Sequence, residues 1–174
     1  MKTVIHDLES KDFEKYFPDI SGSINVISEN APIYNCIGCF GCWVKTPGAC
    51  IIRDSYGDMG ELFSKSEEVI IISKCCYGCY SPFIKNILDR SISYVHPYFT
   101  LRNGEMHHKS RYDNKLNLTV YFYGSDITIS EQKTAEKLVT ANGVNLNTQK
   151  TSVRFFRKLD EMEGIKLEDS INKW

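Results

Sequence analysis

Residues 69–90 read VIIISKCCYGCYSPFIKNILDR. The first four, Val69 to Ile72, are all β-branched, and such a run belongs in a strand covered on both faces, as in a parallel sheet sandwiched between helices. Ser81-Pro82 then reads as a helix start. Serine suits the cap, and proline at the first helical position gives up an N–H that would have no partner there. Phe83, Ile84, Ile87, Leu88, Ile92 and Val95 follow at helical spacing and make an apolar face, with Lys85, Asn86, Asp89 and Arg90 on the other.

Working outward, the apolar runs Thr3-Val4-Ile5, Ile24 to Ile27, Leu116 to Tyr123 and Ser152 to Phe156 predict four more strands. Helical patterns lie between them. Asp12 to Phe17 is a short one. Asp58, three residues before Glu61, opens another through Leu62 and Phe63. A third runs from Ser130-Glu131 to a stop at Asn142-Gly143. Strand and helix in alternation predict an α/β doubly wound sheet, and 174 residues suffice for a single domain spanning 1–174.

Composition narrows the function classes. The net charge is −1 and no basic run occurs, which argues against nucleic acid and anionic membranes as partners. The N-terminal apolar patch is too short for a signal-peptide core, and no window approaches the ~18 apolar residues of a membrane span. Seven cysteines is an odd number, and six of them sit in tight groups, which fits metal-binding or redox thiols in a reducing cytoplasm better than a secreted disulfide framework.

The first group is CIGCFGCWVKTPGAC, residues 36–50, with Cys36, Cys39, Cys42 and Cys50 at C-x2-C-x2-C-x7-C. Four converging thiolates suit an iron–sulfur cluster or zinc, and the short spacing favours iron–sulfur over the two separated pairs typical of zinc sites. Simple burial of four small apolar side chains is the alternative. The second group, Cys75, Cys76 and Cys79, lies in the loop between the third strand and its helix. Ligands of doubly wound sheets bind outside the carboxyl ends of the strands, where both groups should sit. The segment from Tyr94 to Lys115 is long for a connection, so it is either a lid or interface, or a solvated insertion with a hairpin at Asn103-Gly104. His107 and His108 are adjacent, would face opposite ways in a strand, and read as surface residues.

The order C-x2-C-x2-C-W…G-x-C…D, then an apolar strand, a short loop and K-N-x-x-D-R (Lys85 to Arg90), resembles the flavodoxin-like NAD(P)H-dependent FMN reductases, and among them the iron–sulfur flavoproteins. It covers Cys36 to Tyr98 well and extends loosely to Gly143. The resemblance implies a three-layer α/β/α flavodoxin-like fold with a five-stranded parallel sheet in the order 2-1-3-4-5, FMN at the strand ends, and a homodimer. It further implies NAD(P)H as donor to an unidentified acceptor, and a [4Fe–4S] cluster on Cys36, Cys39, Cys42 and Cys50. The flavin-facing candidates are Ser73, Lys74, Cys75, Cys76, Tyr77, Gly78, Cys79, Gly124 and Ser125; no catalytic residue is singled out. Tyr94, His96, Pro97, Tyr98 and Phe99 form an aromatic cluster that would make the dimer contact.

Two departures qualify the cofactor. The family's first loop holds the FMN phosphate with glycine, hydroxyls and backbone N–H groups; here it reads His6-Asp7-Leu8-Glu9-Ser10-Lys11-Asp12, with no glycine and three carboxylates. The family's P-x-Y beside the ring appears as Lys74-Cys75-Cys76. FMN is therefore expected to bind weakly, with the ring held better than the phosphate. A flavin-free metal or thiol protein, or a domain without a ligand, is the alternative function.

Overall fold

The computed structural model describes residues 1–20, 22 and 24–167. The β-branched run forms the core of β3 (Glu68–Lys74), in which every residue but Lys74 is buried. Alternation explains how a continuous apolar run serves two faces. Val69 and Ile71 pack into one core, Ile70 and Ile72 into the other.

β3 is the centre of a five-stranded sheet with β1 (Lys2–His6), β2 (Ile24–Ser28), β6 (Asn117–Tyr123) and β7 (Lys150–Phe156), in the order β2-β1-β3-β6-β7. Every neighbouring pair is parallel. This is the predicted 2-1-3-4-5 order, once the separate hairpin of β4 (Val95–Arg102) and β5 (Glu105–Ser110) is set aside. One face is covered by α3 (Met59–Ser64), α4 (Pro82–Arg90) and α5 (Ile129–Leu146), through Met59, Phe63, Phe83, Ile84, Ile87, Ala135 and Val139. The other is covered by α1 (Ser10–Tyr16) and a 3-10 turn at Leu159–Met162, through Phe13, Phe17 and Met162. Among the described residues no helix is long and apolar enough to cross a membrane.

The hairpin turns at Asn103 and Gly104, both left-handed with φ of +51° and +82°, the type I′ geometry that joins two strands in two residues. It realises the turn predicted at that dipeptide.

Four expectations are corrected. The helix after Ser81 ends at Arg90, so Ile92 falls in a 3-10 turn and Val95 begins β4. Asn86 and Arg90, assigned to a solvent face, are buried, because the chain preceding and following the cysteine loop lies across α4 and offers them polar partners. Asp58 makes no side-chain cap. The last helix runs past Gly143 to a left-handed Asn147. Gly143 is there for close approach, since a Cβ on it would lie 2.2 Å from Thr151 Oγ1 of β7. A single domain over 1–174 includes residues 168–174, which lie outside the described residues.

Candidate functional site

Parallel strands bring the β1–α1, β3–α4 and β6–α5 loops to one edge of the sheet, and the first of these is closed by its own carboxylate. Asp7 Oδ2 accepts the Lys74 N–H at 2.9 Å, and Asp7 Oδ1 accepts the Tyr123 hydroxyl at 3.0 Å. Burial and the Asp7 charge push the Tyr123 phenol well above its ordinary range, so it stays a donor. His6, just inside, is 2 % exposed and stacked on Phe13 with ring centroids 3.8 Å apart. Burial lowers its pKa to about 4, which keeps it neutral. A phosphate dianion entering here would meet the fixed Asp7 carboxylate and two further acidic side chains, Glu9 and Asp12, so like charge disfavours the phosphate half of FMN at this loop.

The β3–α4 loop is anchored at both ends. Ser73 is fully buried, and its hydroxyl accepts the Ser81 N–H at 2.9 Å while donating to Lys74 O at the same distance. Ser73 therefore shapes the loop from beneath. Cys75 N–H reaches Tyr123 O, and the loop turns at Tyr77 and Gly78, with φ of +54° and +77°. Tyr77 is 93 % exposed at the apex. Among the described residues the N–H groups of Tyr77 and Ser125 have no backbone acceptor, while the Gly78 N–H donates to the Cys75 sulfur. These donors, beside an exposed phenol, suit the polar rim of a flat heteroaromatic ring. Gly124 ends β6 alongside, and its N–H is taken by Phe156 O at 3.0 Å. The edge thus offers donors to the ring half of a flavin and a carboxylate to its phosphate half.

The cysteine loop is held elsewhere. Its anchor is Arg90, whose side chain is fully buried against a nearly buried Asp54, with contacts of 2.7 and 2.8 Å to the two carboxylate oxygens. Arg90 also donates to Tyr34 O at 2.8 Å, before the loop, and lies within reach of Ile52 O, after it. Asn86 adds a hydrogen bond to Asn35 at 2.9 Å. The Arg90 guanidinium holds the Asp54 carboxyl down to about 2. Gly38 supplies a left-handed turn in open space, whereas Gly41 lets the loop pack on Ile51, 2.7 Å from where a Cβ would stand.

Cys36 and Cys39 are exposed, Cys50 is half-buried and Cys42 is buried. Burial pushes the Cys42 thiol up, and Cys50, Cys36 and Cys39 add to this, so the four sulfurs form one electrostatic group. All four line a cavity of about 540 Å³ between the loop, α4 and α5, together with Phe40, Trp43, Tyr80, Leu88, Leu138 and His108. Among the described residues no three His, Cys, Asp or Glu side chains are arranged to hold a single metal ion.

The two cysteine groups do not merge. Cys75, Cys76 and Cys79 interact with one another and line no part of that cavity; from their loop only Tyr80 reaches it. The aromatic cluster of the hairpin is also divided. Tyr94 is buried against Phe63 and Tyr112, while Tyr98 and Phe99 are exposed. The histidines face apart as expected, but both are half-buried instead of lying free on the surface. His107 meets Glu105, and His108 packs between Trp43 and Phe99, with centroids at 5.0 and 4.8 Å. Sequence reading missed this ridge of Phe40, Trp43, His108 and Phe99, whose members come from distant segments.

No protein-family model matches the sequence, and no curated protein matches it. Solved structures do resemble the fold. An FMN-dependent NADH-azoreductase from Bacillus anthracis, in complex with FMN, has a TM-score of 0.53 at 10% identity, over 88% of this chain and 85% of that one. The general stress protein 14 of Treponema denticola, also in complex with FMN, gives 0.53 at 12% identity over 93% and 91%. An NAD(P)H:quinone oxidoreductase from Methanothermobacter marburgensis gives 0.52 at 8% identity over 89% and 85%. At such identities the likeness establishes the architecture, and the chain has the flavodoxin-like fold.

Proposed function

We propose that the protein is a flavin-dependent NAD(P)H oxidoreductase that grips the ring of FMN and leaves its phosphate loosely held. The observation that carries this reading is the strand-end edge itself, where the free N–H groups of Tyr77 and Ser125 lie beside an Asp7-closed first loop. Two structures of the same fold are named for NADH- or NAD(P)H-linked reduction, and a third was solved in complex with FMN, which supports the class. When bound, FMN supplies hydride acceptance from NAD(P)H and onward electron transfer. The work of this chain's residues is positioning. Tyr77 and Ser125 would orient the polar rim of the ring, and Gly78 would hold the turn that presents Tyr77. Lys74, Cys75, Cys76, Cys79 and Gly124 would border it, and Ser73 would hold the loop. Exposed Tyr98 and Phe99 are proposed as part of a homodimer contact that screens the ring from water. The compartment proposed is the cytoplasm, which keeps seven free thiols reduced.

The like charge at the phosphate has a size. Three carboxylates in the first loop, at roughly 1 kcal/mol each, together cost about 3 kcal/mol, which moves a nanomolar site to roughly micromolar. Titration of flavin-free protein with FMN and riboflavin, followed by fluorescence quenching, should give micromolar affinities within a few-fold of each other. Failure of both flavins to bind at high micromolar concentration would overturn the proposal.

A second reading concerns the cysteine loop. The electrostatic grouping of Cys36, Cys39, Cys42 and Cys50 around one cavity favours a [4Fe–4S] cluster on these four thiolates, with or without flavin. A cluster spreads its ligands over several irons, so the lack of a single-ion arrangement does not bear on it.

A further inference from the structure

Cys76 and Cys79 face each other across the turn at the end of β3. Tyr77 and Gly78 are both left-handed, which is the type I′ geometry of a two-residue hairpin. The cysteine backbones exchange both hydrogen bonds, Cys76 N–H to Cys79 O at 2.8 Å and Cys79 N–H to Cys76 O at 2.9 Å, as an antiparallel bridge. Residues paired in this way stand about 5.5 Å apart at Cα and send their side chains to the same face. That spacing falls inside the ~4.4–6.8 Å range of disulfides. At Cβ, however, a hydrogen-bonded pair lies near the wide end of about 4.5–5.5 Å, beyond the ~3.5–4.5 Å of a relaxed bond. A bond closed here is reachable and somewhat strained, and strained disulfides are the ones readily reduced again.

The turn is also clamped, so the pair is not brought together by chance motion. Cys75 N–H is tied to Tyr123 O at 2.9 Å. Gly78 rests on α5, where a Cβ would lie 2.8 Å from Thr134 Cβ and 2.9 Å from Glu131 O. Both thiols are half-buried; burial pushes the Cys76 thiol up, Lys74 opposes this, and Asp7 and Cys79 add to it. Ser73, Tyr123 and Gly78 make the loop's anchoring contacts, Cys75 and Cys79 pack against the core beneath it, and Cys76 is not part of that packing.

We propose that Cys76 and Cys79 are a redox-active dithiol that exchanges reversibly with low-molecular-weight disulfides of the glutathione class. In the first step one cysteine thiolate attacks a sulfur of the disulfide, forming a mixed disulfide and releasing one thiolate. In the second, the other cysteine attacks the protein sulfur of that bond, forming Cys76–Cys79 and releasing the second thiolate. Two protein thiols lose two electrons and two protons, and one small disulfide becomes two thiols. Neither flavin nor cluster takes part, so the site operates whether or not the oxidoreductase reading holds.

Flavin-free wild type and Cys75→Ser protein are equilibrated with graded ratios of reduced to oxidised glutathione, quenched by alkylation, and mapped by mass spectrometry of the peptide 75–85. The expected result is a Cys76–Cys79 bond in both proteins, half-formed within the span of glutathione buffers and fully reversed at the reducing end. Cys79→Ser should stop at one glutathione adduct on Cys76. Two glutathione adducts with no internal bond would overturn the proposal. So would a bond from Cys75 to either partner in wild type, or a bond that survives the most reducing buffer. Unchanged far-ultraviolet circular dichroism confirms that each variant is folded.

Discussion

Removing the Asp54 carboxylate by Asp54→Ala tests whether the cysteine loop is held by a buried ion pair. Arg90 is 1 % exposed and would keep its charge, with Tyr34 O at 2.8 Å as its remaining good acceptor. Breaking one side of a buried pair costs about 3–5 kcal/mol, because the other charge is left uncompensated. Asp54 also accepts the N–H groups of Tyr34 and Tyr56 at 3.1 and 2.9 Å; losing these adds up to about 1 kcal/mol each, less where water replaces them. About 4 kcal/mol is a fair total, and with a urea m-value of ~2 kcal/mol/M it lowers the midpoint by about 2 M. Chemical denaturation followed by circular dichroism reads this directly. The double variant Asp54→Leu, Arg90→Met removes both charges and should lose less than Asp54→Ala alone. The loop should also loosen locally, so that buried Cys42 is alkylated faster in the single variant. A midpoint shift below about 0.5 M would refute the assignment of Asp54 and Arg90 as the loop's anchor.

Further outcomes follow from the buried groups and the thiols. The Asp54 carboxyl is held down to about 2 in the folded chain, so its contribution to stability is complete above pH ~4 and is lost as pH falls toward 2. His6 acts in a different window. With its pKa lowered to about 4, the unfolded chain binds a proton below pH ~6.5 that the folded chain refuses, so stability falls by about 2 kcal/mol between pH 7 and 5. His6→Phe, which keeps the stack on Phe13, should remove that slope in urea denaturation, and an unchanged slope would assign it to other groups. When the protein is prepared without oxygen, Cys39→Ser should lose most bound iron and sulfide while Cys79→Ser keeps them. Equal iron in wild type and Cys39→Ser would dismiss the cluster.

How far the sequence could be read depended on whether a signal was local. Val69 to Ile72 identified the central strand because a run buried on two faces needs no partner to be recognised, and the Asn103-Gly104 turn was legible for a similar reason. Arg90 was misassigned to solvent because helical periodicity sees one helix at a time; its partner Asp54 lies 36 positions away. Gly143 looked like a helix stop because its actual role, contact with Thr151 across to β7, is tertiary. At the site, the absence of a phosphate loop was plain from three carboxylates in seven residues. That Asp7 closes the edge by holding Lys74 N–H and Tyr123 was not, since three separate loops meet there. The separation of the two cysteine groups was likewise invisible, because spacing along the chain says nothing of which side of α4 each loop occupies.

A flavin ring held at the strand-end edge, as proposed, would lie where NAD(P)H can reduce it. Anaerobic mixing of NADH or NADPH with FMN, with and without the protein, followed by loss of the oxidised-flavin absorbance, tests it most directly. Bleaching should depend on the protein, be supported by riboflavin to within a few-fold, and slow in Tyr77→Ala, which leaves the Gly78 contact with α5 intact. Bleaching at the same rate without the protein, for both nucleotides and both flavins, would contradict it.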